Sequence, residues 1–211
     1  MATTYTLNLQ NQTPSVWTFV VFLVLPNSAG LDSVAWQLRT LPRSTGKGSI
    51  TWTDDYCVAI ATRGTAGGFT VFSDTQTQPA AANSAWKIVE SAGVEEIVSN
   101  GLPLTPDTIQ LLNSTSALAN GGFGAASLGA VFKGDLRGQE SAVFVPQPQY
   151  YVLLADSMQQ GQVITRGISA KTTATSAIVG PVALNLSPAA ATKSVVAVVA
   201  GNTISIQVSP L

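Results

Sequence analysis

Tyr5, Leu7 and Leu9 alternate with Thr6, Asn8 and Gln10, the period-two pattern of a strand with one face buried. Asn11 to Pro14 reads as a turn. From Trp17 to Leu25 the pattern changes. Trp17, Phe19, Val21, Leu23 and Leu25 line one face, and Val20, Phe22 and Val24 apolarise the other. Such a segment is expected to be a central strand covered on both sides. Val34 to Leu41 resumes the β pattern, with Trp36 as an inward anchor, and Ser49 to Thr53 forms a short strand. Tyr56 to Thr62 and Gly68 to Phe72 predict a hairpin, because the glycines between them permit positive φ.

The middle of the chain is ambiguous. Ala85 to Glu90 fits a strand turning at Ser91-Ala92-Gly93 into Val94 to Val98, but Ala80 to Glu90 also fits a helix. Thr105-Pro106-Asp107 has the hydroxyl, proline and acid of a helix start, while Ile109, Leu111 and Leu112 fit a strand. Ala119 to Gly124 is rich in glycine and is expected to be a mobile loop. Ser141 to Val145, Tyr150 to Ala155, Gln162 to Arg166 and Ser176 to Val179 are further strand candidates. Val195 to Val199 and Thr203 to Val208 flank Gly201-Asn202, a two-residue hairpin signal.

About a dozen short strands, with turn residues roughly every 8–12 positions, predict an antiparallel architecture rather than βαβ units. The expected fold is all-β, a predominantly antiparallel β-sandwich, jelly-roll-like or Greek-key, with at most one or two short helices. Residues 1–211 are expected to form a single sandwich domain with a Gly/Ser-rich loop near 114–129. No convincing internal repeat emerges.

Composition narrows the function. Charged residues make up 10% of the chain, hydrophobic residues 45%, and histidine is absent. An ordinary soluble domain is roughly a quarter charged. The net charge is −1, and the ten basic residues are scattered, so the phosphate-neutralising stripe of a nucleic-acid binder is missing. No apolar run reaches the roughly 18 residues of a membrane helix. The N-terminus lacks a basic segment followed by an apolar one, which points away from secretion and toward the cytoplasm. A near-neutral surface of hydroxyls and amides lacks long-range self-repulsion and favours association.

Catalytic patterns fail in turn. Without histidine no Ser-His-Asp or Cys-His arrangement exists within the chain. Cys57 lies in the apolar run Tyr56 to Ala61 and reads as a small buried hydrophobe. Gly46-Lys47-Gly48 has Leu41 where a phosphate loop needs glycine, and Gly122-Phe123-Gly124 has Ser127 where a dinucleotide fingerprint needs its third glycine. Zinc and copper lack ligands, and neither Asp54-Asp55 nor Glu95-Glu96 shows calcium-loop spacing. No cofactor or metal is expected. Asn113-Ser114-Thr115 and Asn185-Leu186-Ser187 match the glycosylation pattern.

The chain is therefore expected to be a non-enzymatic structural protein that self-associates, with itself as partner. A lectin-like module for a neutral glycan is the alternative. Its candidate residues are Trp52, Asp54, Asp55 and Tyr56, where an indole beside carboxylates would offer a stacking face and acceptors, and Tyr150 and Tyr151, one of which must face outward from a strand. A membrane-active β-protein and an enzyme working through carboxylates, tyrosine or lysine rank below these.

Overall fold

The computed structural model describes residues 2–164, 178–201 and 203–211. Among them every regular element is a strand. The first half contributes β1 (Thr4–Asn11), β2 (Trp17–Val24), β3 (Asp32–Ser33), β4 (Gln37–Leu41), β5 (Gly46–Thr53), β6 (Tyr56–Ala66), β7 (Phe69–Pro79), β8 (Ser84–Ser91) and β9 (Val94–Ser99). The second contributes β10 (Ile109–Asn113), β11 (Ala119–Ala125), β12 (Leu128–Leu136), β13 (Ser141–Phe144), β14 (Gln149–Ala155), β15 (Ile178–Ala183), β16 (Thr192–Ala200) and β17 (Thr203–Pro210). Residues 165–177 and Asn202 lie outside the described residues. They include Arg166 and the first part of the expected Ser176 to Val179 strand.

The strands form four sheets, ordered β17-β16-β1-β5, β15-β14-β2-β4, β13-β10-β8-β9 and β3-β12-β11-β6-β7. The first two face each other: Tyr5 and Trp52 of one pack on Tyr150 of the other. The last two also face each other, with Phe123 against Phe144. The fold is all-β and predominantly antiparallel, as the sequence predicts, and its four sheets form two facing pairs, two sandwiches that share one continuous apolar core. All pairings are antiparallel except β1 with β16 and β10 with β8.

Those two exceptions expose a repeat that the sequence concealed. β10–β13 correspond to β1, β2, β4 and β5, and β14–β17 correspond to β6–β9 in order and pairing. Neither repeat closes on itself. One sandwich joins β1, β2, β4 and β5 to β14–β17, and the other joins β6–β9 to β10–β13, with the two-residue β3 added at its edge. The two repeats have exchanged their second halves.

The same hydrogen-bond staple recurs at equivalent places. Asn11 ends β1 and is fully buried. Its Nδ2 donates to Ser15 O at 2.8 Å and, across to the facing sheet, to Leu41 O at 3.3 Å. Its Oδ1 accepts from Thr13 N and Oγ1 at 3.0 and 2.8 Å. Asn113 ends β10 and repeats this, donating to Ala117 O at 2.8 Å and Leu136 O at 2.9 Å, and accepting from Thr115 N and Oγ1. Ser114 N bonds Ile88 O as Gln12 N bonds Ala197 O, both at 2.9 Å. The glycosylation match at Asn113 is therefore a buried structural amide.

Several expectations are corrected. Residues 80–113 contain strands and no helix, because Ser84–Ser91 finds two strand partners, β9 and β10. Ala119 to Ala125 is the buried strand β11, so the loop placed near 114–129 shrinks to short connections around it. Its glycines serve packing. A Cβ at Gly122 would lie 2.4 Å from Phe132 Cε1, and one at Gly124 would lie 1.8 Å from Leu128 O. The expectation for β2 holds: Phe19, Val21 and Leu23 enter one cluster, Val20 and Phe22 another. Each such fully buried side chain contributes roughly 1.5–3 kcal/mol relative to exposure.

Asn11→Ala and Asn113→Ala are expected to lower unfolding stability by similar amounts, about 2–4 kcal/mol each, since each strands buried carbonyls and N–H groups. Urea denaturation followed by tryptophan fluorescence measures both. A loss at one site with neutrality at the other would contradict the equivalence of the repeats.

Candidate functional site

The exchange needs two crossings between sandwiches, and the candidate residues collect there. The first crossing is Asp54-Asp55, between β5 and β6. The second runs from Val145 to Pro148, between β13 and β14. Tyr56 Oη, from the first, donates to Pro146 O of the second at 3.1 Å. Tyr56 and Tyr150 open equivalent stretches of β6 and β14. Their carbonyls accept from Ala80 N and Leu184 N, both at 2.9 Å.

Trp52 is 3% exposed, which corrects its expected role as an outward stacking platform. Its ring lies 5.7 Å from Tyr5, 5.6 Å from Trp36 and 5.3 Å from Tyr150. The strand ends just after it, so the polar residues that follow belong to the crossing and not to its face. Tyr150 is buried in the same cluster. Burial raises its pKa, and the neighbouring Trp52 indole moderates the rise without completing a hydrogen bond to the hydroxyl. Tyr151 points to the opposite face of the sheet, stacks on Phe22 at 5.4 Å and donates its hydroxyl to Gln149 Oε1 at 3.1 Å.

Asp54 Oδ1 accepts the Thr3 N–H at 2.6 Å, and Asp54 N returns a bond to Thr3 O at 3.1 Å. This clasp fixes the chain start against the crossing. Burial, then the Asp54 charge, raise the Tyr5 and Tyr56 hydroxyl pKa values. Asp55 is exposed, and its carbonyl accepts from Ala126 N at 3.0 Å. Thus Trp52, Asp54, Tyr56 and Tyr150 come together at the junction, where Asp55 is exposed, while Tyr151 lies on the opposite face of its sheet.

A separate cleft of about 280 Å³ is lined by Phe72, Ser73, Asp74, Leu128, Gly129 and Gln160, among others. Asp74 accepts the Gly129 N–H at 2.8 Å, and partial burial raises its pKa. Cys57 lies nearby with its thiol toward Leu128 O at 3.6 Å. Burial, then the Asp74 charge, push this thiol up to about 12, so it stays protonated and unreactive at neutral pH. Among the described residues no group of three or more metal-ligating side chains converges, and no helix is long and apolar enough to cross a membrane.

The family model described as RhiA matches residues 2–193, which takes in both repeats up to β16. The chain belongs to the RhiA family. No curated protein and no solved structure matches it. In this RhiA-family chain the feature missed from sequence is the junction itself. It follows from the repeat, whose one sequence trace is Thr6-Leu7-Asn8-Leu9-Gln10-Asn11-Gln12-Thr13 set against Thr108-Ile109-Gln110-Leu111-Leu112-Asn113-Ser114-Thr115.

The raised thiol and tyrosine pKa values carry a pH signature. Below the ordinary thiol value of 9.0 both folded and unfolded states are protonated, and the contribution to stability is complete. Above it the unfolded chain ionises first, so stability falls as pH rises toward the folded value of about 12. The urea midpoint is expected to be flat up to about pH 8.5 and to decline above it. Cys57→Ala should lessen the decline, whereas a wild-type midpoint unchanged to about pH 11 would contradict the assignment.

Proposed function

We propose that this chain is a non-enzymatic structural protein that associates with copies of itself. The exchange of repeat halves carries the reading. Each sandwich closes only when the first half of one repeat meets the second half of the other. This is the arrangement of a strand-exchanged dimer whose two copies have been joined end to end. Association between copies of one folding unit is already the way this chain completes its cores.

Two further observations support it. The net charge of −1 leaves little self-repulsion between molecules. The aromatic and acidic residues that suggested a binding face are mostly engaged within the junction between sandwiches. The glycan reading loses its central platform with Trp52 and loses Tyr150 with it; Asp55 is exposed, and Asp54, Tyr56 and Tyr151 are half-buried.

Light scattering coupled to gel filtration tests the proposal. A mass that is a multiple of 21.8 kDa and grows with concentration is expected. A strict monomer at about 500 μM, far above the range where specific assemblies dissociate, would overturn it. Tyr151 fluorescence cannot be isolated among four tryptophans, so a glycan array provides the parallel arm. Binding by a strict monomer would move the assignment to a neutral glycan.

A further inference from the structure

An exposed sheet edge is a template for another strand, and folded proteins block their edges with charge, bulges, proline, shortness or a cover. Of the eight edges here, seven carry such a device. β9 bears Glu95 and Glu96, and its Ile97 N–H is taken by the Gln76 side chain. The four-residue β13 is capped by Asn27, which donates to Val143 O at 2.7 Å and accepts from Val145 N at 3.2 Å. β7 is bulged and covered by Gly161 and Val163, which bond Phe72 N and Thr70 O. β15 contains Pro181 and a register shift, and β3 has two residues. β4 and β5 carry Arg39 and Lys47.

β17 is different. It runs for eight residues in unbroken register with β16, from Thr203 opposite Ala200 to Pro210 opposite Lys193. It has no charged residue and no bulge, and its one proline is at the end. Among the described residues no side chain or loop bonds its outer edge. Ile204, Ile206 and Val208 pack against the core, which leaves Thr203, Ser205, Gln207 and Ser209 as the alternate, solvent-facing set. The contrast with β9 is informative because β9 is the equivalent strand of the other repeat. One of two equivalent edges is charged and capped; the other, although β15 of the facing sheet runs close to it, carries no charge and no hydrogen-bonded cap among the described residues.

We infer that β17 is the surface through which one copy binds a second, pairing antiparallel with the partner's β17 across a two-fold axis. The inference rests on the proposal that the chain self-associates. An antiparallel edge is self-complementary under a two-fold, because each strand presents the same spacing of outward N–H and C=O groups to its copy. The two four-stranded sheets then become one continuous eight-stranded sheet. No like charges face each other across the seam, and the exposed Leu211 at one end of the strand is brought toward the Thr203 end of the partner's.

The test uses the full chain. Ser205→Lys with Gln207→Lys places ammonium groups on both sides of the seam and should weaken association by at least about tenfold. Far-UV circular dichroism should be unchanged and the melting temperature nearly so, because Gln207 is exposed and Ser205 is half-buried on the face away from the core. Single cysteines at 203, 205, 207 and 209 in a Cys57→Ser background give the geometry. Cross-linking between copies that peaks at one position and falls to either side is expected. Equal cross-linking at all four would indicate parallel stacking and overturn the inference. Oligomers indifferent to the lysines would overturn the β17 seam while leaving self-association intact. A strict monomer in the wild type would overturn both.

Discussion

Everything in this fold depends on a strand-supply constraint. β1 and β10 are interior strands, each with one parallel neighbour: β10 takes β8 from just upstream in the preceding repeat, whereas β1 takes β16 from the far side of the chain. Between β1 and β16 lies almost the whole second sandwich. The sheet that begins the chain cannot be completed until the end of the chain arrives. Such topology has high contact order and folds slowly relative to locally wired proteins. It also makes the two sandwiches interdependent, since their halves are covalently interleaved and their cores are continuous.

The recurring staple explains how two sequences so different reach one geometry. Asn11 and Asn113 are the points where a strand end must reach across to the facing sheet. A buried amide with one acceptor shared by two threonine donors, and donors aimed at two carbonyls, satisfies every polar atom it introduces. Around that point the packing diverges. Trp17 and Phe19 of β2 stand where Ala119 and Gly121 stand in β11, and Gly121 leaves the room that Leu111 and Leu136 fill. One sandwich is centred on Tyr5, Trp36, Trp52 and Tyr150; the other is centred on Tyr56, Phe123 and Phe144.

That divergence decides what was legible in the sequence. Period-two alternation gave β1, two apolar faces gave the interior position of β2, and turn residues gave the hairpins β6–β7 and β16–β17. These signals are local. The repeat was hidden because its equivalent positions drift in spacing and most side chains differ. β11 was hidden because glycine usually marks a loop, and here it marks crowding by Phe132 and by the Leu128 backbone. The residues from Trp52 to Tyr56 read in the sequence as a candidate ligand-binding face. In the structure they lie where the chain passes from one sandwich to the other, and only the pairing of distant strands reveals that. The bare edge of β17 becomes meaningful in the same way, by comparison with β9.

The loop from Asn100 to Thr108 is the boundary between the repeats, and Leu104 in it is 91% exposed, so a protease site inserted there can be cut in the folded protein. Native cleavage followed by gel filtration tests the exchange most directly. If the halves are exchanged, the two fragments stay in one particle with unchanged circular dichroism and separate only in denaturant. If each repeat closed its own sandwich, the fragments would part without denaturant and each would keep a native spectrum.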